Sequence, residues 1–392
     1  MDIEALIDRL QPRIAALRRD LHAHPELAFE ERRTASAVAA YLGEHGIEVH
    51  QGLAGTGVVG RLTAGAGGGA IGLRADMDAL PLAELNTFSH RSTRDGCMHA
   101  CGHDGHTAML LGAAAALAAL CDRNFFRGTV YFVFQPAEEH EGGARVMVEE
   151  GLFARFPMDA IFGLHNWPGL PMGSFAVMSG PVMAAADRFE IAITGRGVHA
   201  AMPHLGSDCV LAGAALVQAL QALVSRATDP LQPAVVSVTR FQAGSGADNV
   251  LPETALLGGT VRTLVPQVQD AIESGMRRVC QSIALAHDVQ VDLKFLRGYP
   301  PTVNAAAPTA LCRAVAAAVA VDGRVFDNLA PSMGAEDFAY LSARVPGCYV
   351  WLGNGPGTGG CMLHSPHYDF NDAIIPIGIR YWLRLVESTL AA

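Results

Sequence analysis

The sequence predicts an α/β protein: a mainly parallel sheet with helices on both faces, carrying an inserted α+β domain of ferredoxin-like βαββαβ order. Three observations carry that reading. Apolar strands alternate with helical patterns through the first part of the chain. Polar residues with metal-binding or acid–base chemistry fall just past the ends of those strands. The alternation breaks near residue 185, gives way to a different order over about a hundred residues, and then resumes.

The elements follow in order. Apolar positions Ile3, Leu6, Ile7, Leu10, Ile14 and Leu17 recur at helical spacing, so a helix spans 3–18. Leu21 to Leu27 then reads as a turn-like break, and a second helix runs over 34–42. Strands are expected at 58–62 and 70–74, the second followed at once by Asp76-Met77-Asp78. The Ala/Leu-rich stretch 106–120 is a helix, and 128–135 is a strand stopped by Pro136, with Glu138-Glu139 directly after it. Gly142-Gly143 opens a helix reaching about Glu150, and the strand 160–164 ends on His165.

Beyond residue 185 come strand 188–194, helix 208–224, strands 234–241 and 254–262, helix 266–286 and strand 289–296. That is the split βαββαβ unit. It defines an inserted domain, 184–297, between Gly180-Pro181 and Gly298-Tyr299-Pro300-Pro301. The larger domain is then 1–183 together with 298–392. In its second part, helices are expected at 307–319 and 337–344, a strand at 349–352, a Gly/Pro-rich loop at 353–367 and a final helix from about Asp372.

Composition narrows the function. The chain has 392 residues, half of them apolar, enough for two sizeable cores. Acidic residues number 38 against 28 Lys and Arg, and no basic block occurs, which argues against a nucleic-acid partner. The longest apolar run, Ala108 to Cys121, is too short to span a bilayer and reads as a buried helix, so no membrane partner is expected. The start Met1-Asp2-Ile3-Glu4 lacks the positive charge and apolar run of a secretory signal, and the eight scattered cysteines form no disulfide framework. A reducing cytoplasm fits both, and it keeps Cys101 available as a ligand.

The densest chemistry lies in Met98 to His106, where His99, Cys101, His103, Asp104 and His106 crowd around two glycines. A soft thiolate and imidazoles at the mouth of a helix suit a transition-metal site, with Cys101 and His103 as ligands. His99 and His106 read as supporting residues. One short segment cannot close such a site. Glu138-Glu139 can divide labour, one holding metal and one handling a proton. His165 and His364 are the remaining strand-end and loop candidates, and Asp76 and Asp78 are two carboxylates at the same sheet edge. In the insert, His199 is either a surface-loop residue or a donor brought by a closing lid. Asn249 and Arg262 either bind an oxyanion and a carboxylate or are a turn amide and a strand-edge charge.

Taken together, these segments resemble a known family: the co-catalytic metallopeptidases and amidohydrolases that include aminoacylase and carboxypeptidase G. They are most similar to its branch of hippurate hydrolase, bacterial N-acyl-amino-acid amidohydrolases and plant indole-acetyl-amino-acid hydrolases. The marks run from Arg18-Arg19-Asp20-Leu21-His22 to His364-Ser365-Pro366. Between them lie Arg74-Ala75-Asp76-Met77-Asp78-Ala79-Leu80-Pro81, Cys101-Gly102-His103-Asp104-Gly105-His106, Gln135-Pro136-Ala137-Glu138-Glu139, Gly163-Leu164-His165-Asn166 and Met333-Gly334-Ala335-Glu336-Asp337-Phe338.

The resemblance implies that the larger domain is catalytic and metal-binding and the insert a lid or dimerisation domain. It implies two divalent ions per subunit, zinc, manganese, cobalt or nickel, bridged by Cys101. Glu139 and His364 would complete one site, and His103 and His165 the other. Glu138 would be general base and acid for water attacking the amide. His199 and Asn249 would stabilise the oxyanion, His199 from its own subunit or across a dimer. Arg262 would hold the substrate carboxylate, and Asp76 or Asp78 would orient a ligand histidine. The implied substrate is a small N-acyl or N-aroyl amino acid, and the implied assembly a homodimer or higher homo-oligomer. A dipeptidase or carboxypeptidase of the same fold is the alternative, and a non-catalytic binding protein a more distant one. The charge balance suits an anionic substrate: two divalent ions outweigh the Cys101 thiolate, the Glu139 carboxylate and a hydroxide.

Overall fold

The computed structural model describes residues 2–139, 142–244, 246–356 and 361–391. The chain forms two compact units: Met1–Gly180 with Val303–Ala330 and Asp337–Ala392, and Pro181–Thr302 with Pro331–Glu336.

The first unit is built on an eight-stranded sheet. In spatial order its strands are Glu48–Leu53, Gly57–Ala64, Gly128–Gln135, Gly69–Asp76, Ala160–Pro168, Gly347–Gly355, Phe175–Ala176 and Val325–Phe326. The four strands from Gly128–Gln135 to Gly347–Gly355 are mutually parallel, and antiparallel pairings flank them. Gly128–Gln135 is buried along almost its whole length, as a strand must be when both faces are covered. Alternation shows the two faces directly. Ile71, Leu73 and Ala75 join the core cluster that contains Met109, Leu110 and Ile379. Arg74, between them, points the other way, toward the Phe338 ring and the Asp337 carboxylate.

The helix His103–Leu120 packs against both Ile3–Ala23 and Ile375–Thr389. By length and composition it could cross a membrane, yet most of its apolar stretch is buried inside the protein. Its Ala/Gly content reflects close helix approach. A Cβ at Gly112 would sit 2.5 Å from Ile379 Cδ1, and one at Gly378 would sit 2.1 Å from Met109 Sδ.

Several boundaries differ from expectation, each for a tertiary reason. The first helix does not break at Leu21 but continues through Ala23, because Leu21 and His22 are buried on its inner face. The edge strand Glu48–Leu53 was missed, since Glu-Val-His-Gln-Gly-Leu shows no clean apolar alternation. The two-residue strands Phe175–Ala176 and Val325–Phe326 are too short to leave a periodic signal. The strand expected at 349–352 runs Gly347–Gly355 and absorbs the start of the following loop, of which 357–360 lie outside the described residues. The helix expected at 337–344 is only Phe338–Ser342, and the last helix starts at Ile375 after a turn at Asp372–Ile374.

The second unit is a four-stranded antiparallel sheet in the order Ala234–Ala243, Thr254–Thr263, Ala185–Thr194, Gln290–Tyr299. Its helices are Cys209–Ser225 and Pro266–His287, which gives the βαββαβ chain order. Phe189, Ile191 and Ile193 alternate into a core with Leu216, Leu220, Ile272 and Met276. Asp208 caps the first helix, accepting from the N–H groups of Val210 and Leu211. The unit boundaries fall at Gly180/Pro181 and Thr302/Val303, rather than at 183/184 and 297/298. Pro331–Glu336, expected with the catalytic part, joins this unit because Ser332 exchanges backbone hydrogen bonds with Val182 and Ala184.

A buried ionic cluster ties the first unit together. The Arg18 guanidinium donates to Asp372 (2.7 Å), Asp369 (2.8 Å) and the Phe370 carbonyl (3.2 Å), and lies 3.4 Å from Asp104. His22 Nδ1 meets Asp104 at 2.8 Å and Nε2 meets Glu84 at 3.2 Å. Burial disfavours a charged His22, but Asp104 and Glu84 outweigh it and raise its pKa from 6.5 to about 9. Removing Arg18 would strand buried carboxylates, so Arg18→Ala is expected to cost about 3–5 kcal/mol in urea unfolding. Because the folded pKa of His22 is raised, its contribution is complete below pH 6.5 and is lost as pH rises through about 9. Urea midpoints should therefore fall across that window, and His22→Gln should flatten the decline.

Candidate metal centre

The four parallel strands end at one sheet edge, and the candidate residues gather there. Asp76 closes its strand in register with Gln135, two residues before Ala137 and the Glu138-Glu139 pair. His165 pairs in register with Trp351. The Cys101–His103 bend depends on Gly102, whose φ is +98°. A Cβ there would lie 2.1 Å from Asn166 Nδ2 and 2.6 Å from Tyr368 Oη, so no other residue fits.

Five groups of possible donors result among the described residues, and two of them overlap at Cys101. Ligand atoms of Cys101, His103 and His165 lie within 4.8 Å of one another, as do those of Cys101, Glu139 and His364. Cys101 belongs to both. Cys101 Sγ is 3.4 Å from His165 Nε2, and His364 Nε2 is 3.1 Å from Glu139 Oε1. Glu138 is buried beside them, its Oε2 4.0 Å from His103 Nε2. His364 holds a left-handed φ of +63°, an uncommon conformation for a residue with a Cβ.

Hydrogen bonds decide which ring nitrogens are available. His103 Nδ1–H donates to the Asp78 carbonyl at 2.9 Å and lies 3.2 Å from its carboxylate. His165 Nδ1–H donates to the Asn166 carbonyl at 2.6 Å. In the neutral ring each bond places the proton on Nδ1 and leaves the lone pair on Nε2. His103 Nε2 is buried with no hydrogen-bond partner among the described residues, a costly arrangement unless a cation takes the lone pair. His106 differs: Nδ1–H meets Asp76 at 2.6 Å, and Nε2 accepts the Asn166 backbone N–H at 2.9 Å. Both its nitrogens are used, so it braces the site rather than ligating. His99 takes no part in either donor set, and burial lowers its pKa to about 4.

The electrostatics favour a cation. Burial alone would lower the His103 pKa, but Asp76, Asp78 and Glu139 outweigh it and raise it to about 10. His165, by contrast, is held well below the usual range by burial and by neighbouring His106, so it stays neutral and able to ligate. Burial would raise the Asp76 pKa, but the His103 and Arg74 charges and the hydrogen bond from His106 Nδ1–H outweigh it and hold the carboxyl well below its usual range.

Both expected orienting carboxylates have defined partners. Asp78 holds His103 and also accepts the Glu139 backbone N–H at 2.9 Å. Asp76 holds His106 and accepts from Arg74 at 2.7 Å. Sequence reasoning missed Asn166, which donates to the Cys101 carbonyl at 2.7 Å, and Tyr368, which donates to Asn166 at 2.7 Å. Asn166 adjoins His165 in the chain, and that adjacency was the available signal. Tyr368 gave none.

His199, Asn249 and Arg262 all belong to the second unit. His199 lies in a short strand paired with Val250–Leu251, and the Ala200 N–H bonds the Asn249 carbonyl at 2.9 Å. His199 Nδ1 accepts the Ala201 N–H at 3.1 Å, which leaves the ring proton on Nε2. Both residues line a cavity of about 660 Å³ and are exposed. Arg262 is half-buried and donates to the Val261 carbonyl at 3.1 Å and to Thr260.

A parallel α/β sheet with Cys, His and Glu donors at its carboxyl edge, joined to a ferredoxin-like insert, defines the metallopeptidase class of fold. The chain belongs to peptidase family M20/M25/M40, whose model matches residues 72–388. It is 38% identical over 381 residues to a hippurate hydrolase of Campylobacter jejuni, covering 97% of each chain. It is 44% identical over 305 residues to an N-acyl-L-amino acid amidohydrolase of Geobacillus stearothermophilus, covering 77% of this chain and 81% of that one. The crystal structure of the Bacillus subtilis protein YXEP, described as a dinuclear metal binding peptidase, superposes with a TM-score of 0.85 at 35% identity, covering 98% of this chain and 99% of that one.

If Asp78 orients His103, Asp78→Ala should weaken divalent-metal binding about 10- to 100-fold, read by competition with a chromogenic chelator. Unchanged affinity would remove that role.

Proposed function

We propose that this protein is a metal-dependent amidohydrolase that cleaves the amide bond of N-acyl or N-aroyl amino acids to a carboxylic acid and a free amino acid. The observation that carries the reading is the pair of donor sets sharing Cys101, with Glu138 buried beside them. Relatives named hippurate hydrolase and N-acyl-L-amino acid amidohydrolase support it over most of their lengths.

In this reading Cys101, Glu139 and His364 would hold one divalent ion and Cys101, His103 and His165 the other. Mixed thiolate, imidazole and carboxylate donors suit zinc, manganese, cobalt or nickel. Bound ions supply Lewis acidity, polarising the amide carbonyl and making water a stronger acid. Glu138 takes a proton from the attacking water and delivers it to the amine nitrogen as the C–N bond breaks. Asp78 fixes His103 and the Glu139 backbone, and His106 is locked between Asp76 and Asn166, so the donors need little rearrangement. His199 and Asn249 serve as oxyanion donors and Arg262 as the anchor for the substrate carboxylate, roles that rest on their donor chemistry.

A peptide substrate is the second reading, favoured by the description of YXEP as a peptidase. A panel of benzoyl, acetyl and indole-acetyl amino acids and dipeptides, run on metal-reconstituted protein, separates the two. Glu138→Gln should reduce turnover about 10²- to 10⁴-fold with metal still bound. Turnover near that of the unmodified protein would refute the base assignment.

A further inference from the structure

Glu31 is acidic, wholly buried and distant in sequence from every residue assigned above. Its Oε1 accepts the backbone N–H of Ala137 at 2.8 Å, and its Oε2 accepts the Thr56 hydroxyl at 2.6 Å. Ala137 is itself fully buried and immediately precedes Glu138. It holds a left-handed φ of +54°, which costs a residue with a Cβ about 1–2 kcal/mol and persists only when surroundings enforce it. The carbonyl of Ala137 is pinned as well, accepting the Gly143 N–H at 2.9 Å. Gly143 must approach closely to do so, since a Cβ there would lie 1.8 Å from the Pro136 carbonyl oxygen. The backbone that aims Glu138 is therefore clamped at Ala137 on both sides, and a buried carboxylate forms one jaw.

We propose that Glu31 is a positioning residue for the general base: it holds Ala137 in its left-handed conformation and so directs the Glu138 carboxylate. The proposal rests on the reading of Glu138 as the base. Glu139, the neighbouring metal donor, has a separate brace, because its N–H goes to Asp78. Loosening Ala137 should thus misdirect the base while sparing the metal donors. Thr56 holds the second oxygen and keeps the carboxylate turned toward Ala137. Burial raises the Glu31 pKa from 4.5 to about 7, while the hydrogen bonds from Thr56 and Ala137 favour the carboxylate form that accepts them both.

Steady-state kinetics, metal content after dialysis and thermal unfolding test this on Glu31→Ala, Glu31→Gln and Thr56→Val. Glu31→Ala leaves the Ala137 N–H without its acceptor, and kcat should fall about 10- to 100-fold with KM little changed and metal content retained. Glu31→Gln can still accept from Ala137 and donate to Thr56, so it should restore kcat to within about 3-fold of the unmodified protein. Thr56→Val, a near-isosteric change, should lower kcat about 3-fold in the same direction and decides the matter if Glu31→Ala does not fold. In a Glu138→Gln background, Glu31→Ala should add no further loss.

Three results would overturn the proposal: unchanged kcat in Glu31→Ala and Thr56→Val, a kcat loss that tracks loss of metal, or independent losses in the double variant. The last leaves Glu138 standing as the base. Full activity of Glu138→Gln alone instead removes the base reading, and this inference with it.

Discussion

Asp76, Asp78 and Glu138 lie almost wholly buried around His103, and the cost of burying acidic groups together is the constraint that the rest of the first unit serves. Water cannot screen these charges, so each must find a partner inside the protein. Arg74 neutralises Asp76 and the His106 N–H bonds it, and the Glu139 N–H and the His103 ring take Asp78. The remaining negative potential falls on His103 and drives its affinity for a proton upward. A divalent cation would answer the same potential with more charge, and His103 Nε2, which no hydrogen bond uses, is the atom open to it. Charge burial and tautomer choice are one balance seen at two levels.

The same device recurs wherever a loop must point accurately. Strands and the central helix place backbone to within their own rigidity, but the functional side chains sit just beyond strand ends, where the chain is free to wander. Buried carboxylates from remote segments restrain it there. Asp78 holds the Glu139 peptide and Glu31 the Ala137 peptide. Asp337 accepts from Gln135, at the end of the preceding strand, and from the Ala144 N–H. Arg18, Asp104, Asp369 and Asp372 do likewise where the central helix meets the 369–372 segment. A hydrogen bond to a charged acceptor is about twice as strong as a neutral one, which suits such anchors.

The two units divide the chemistry by environment. Donors of the first unit are mostly buried, which suits soft, desolvated ligation. His199 and Asn249 of the second are exposed on a paired turn lining a cavity, which suits groups that meet a polar ligand from solvent. Family membership accords with that division: the family includes a dinuclear metal binding peptidase and relatives named for N-acyl amino acids.

The identity of the fold and of the donor types was legible in the linear chain, because both are local properties. A Val/Phe/Tyr strand stopped by Pro136, a Gly102 bend beside Cys101 and an Ala-rich helix each declare themselves within a few residues. Partner choice was not legible. His103 and His106 lie one helical turn apart in one motif, yet Asp78 leaves His103 Nε2 open while Asp76 and Asn166 consume both nitrogens of His106. Glu31 carried no mark in the linear chain, and only folding brought Ala137 against it. Composition and spacing thus determined which atoms are capable of the chemistry. Only the tertiary structure decided which of them are free to do it, since that depends on hydrogen-bond partners tens of residues away along the chain.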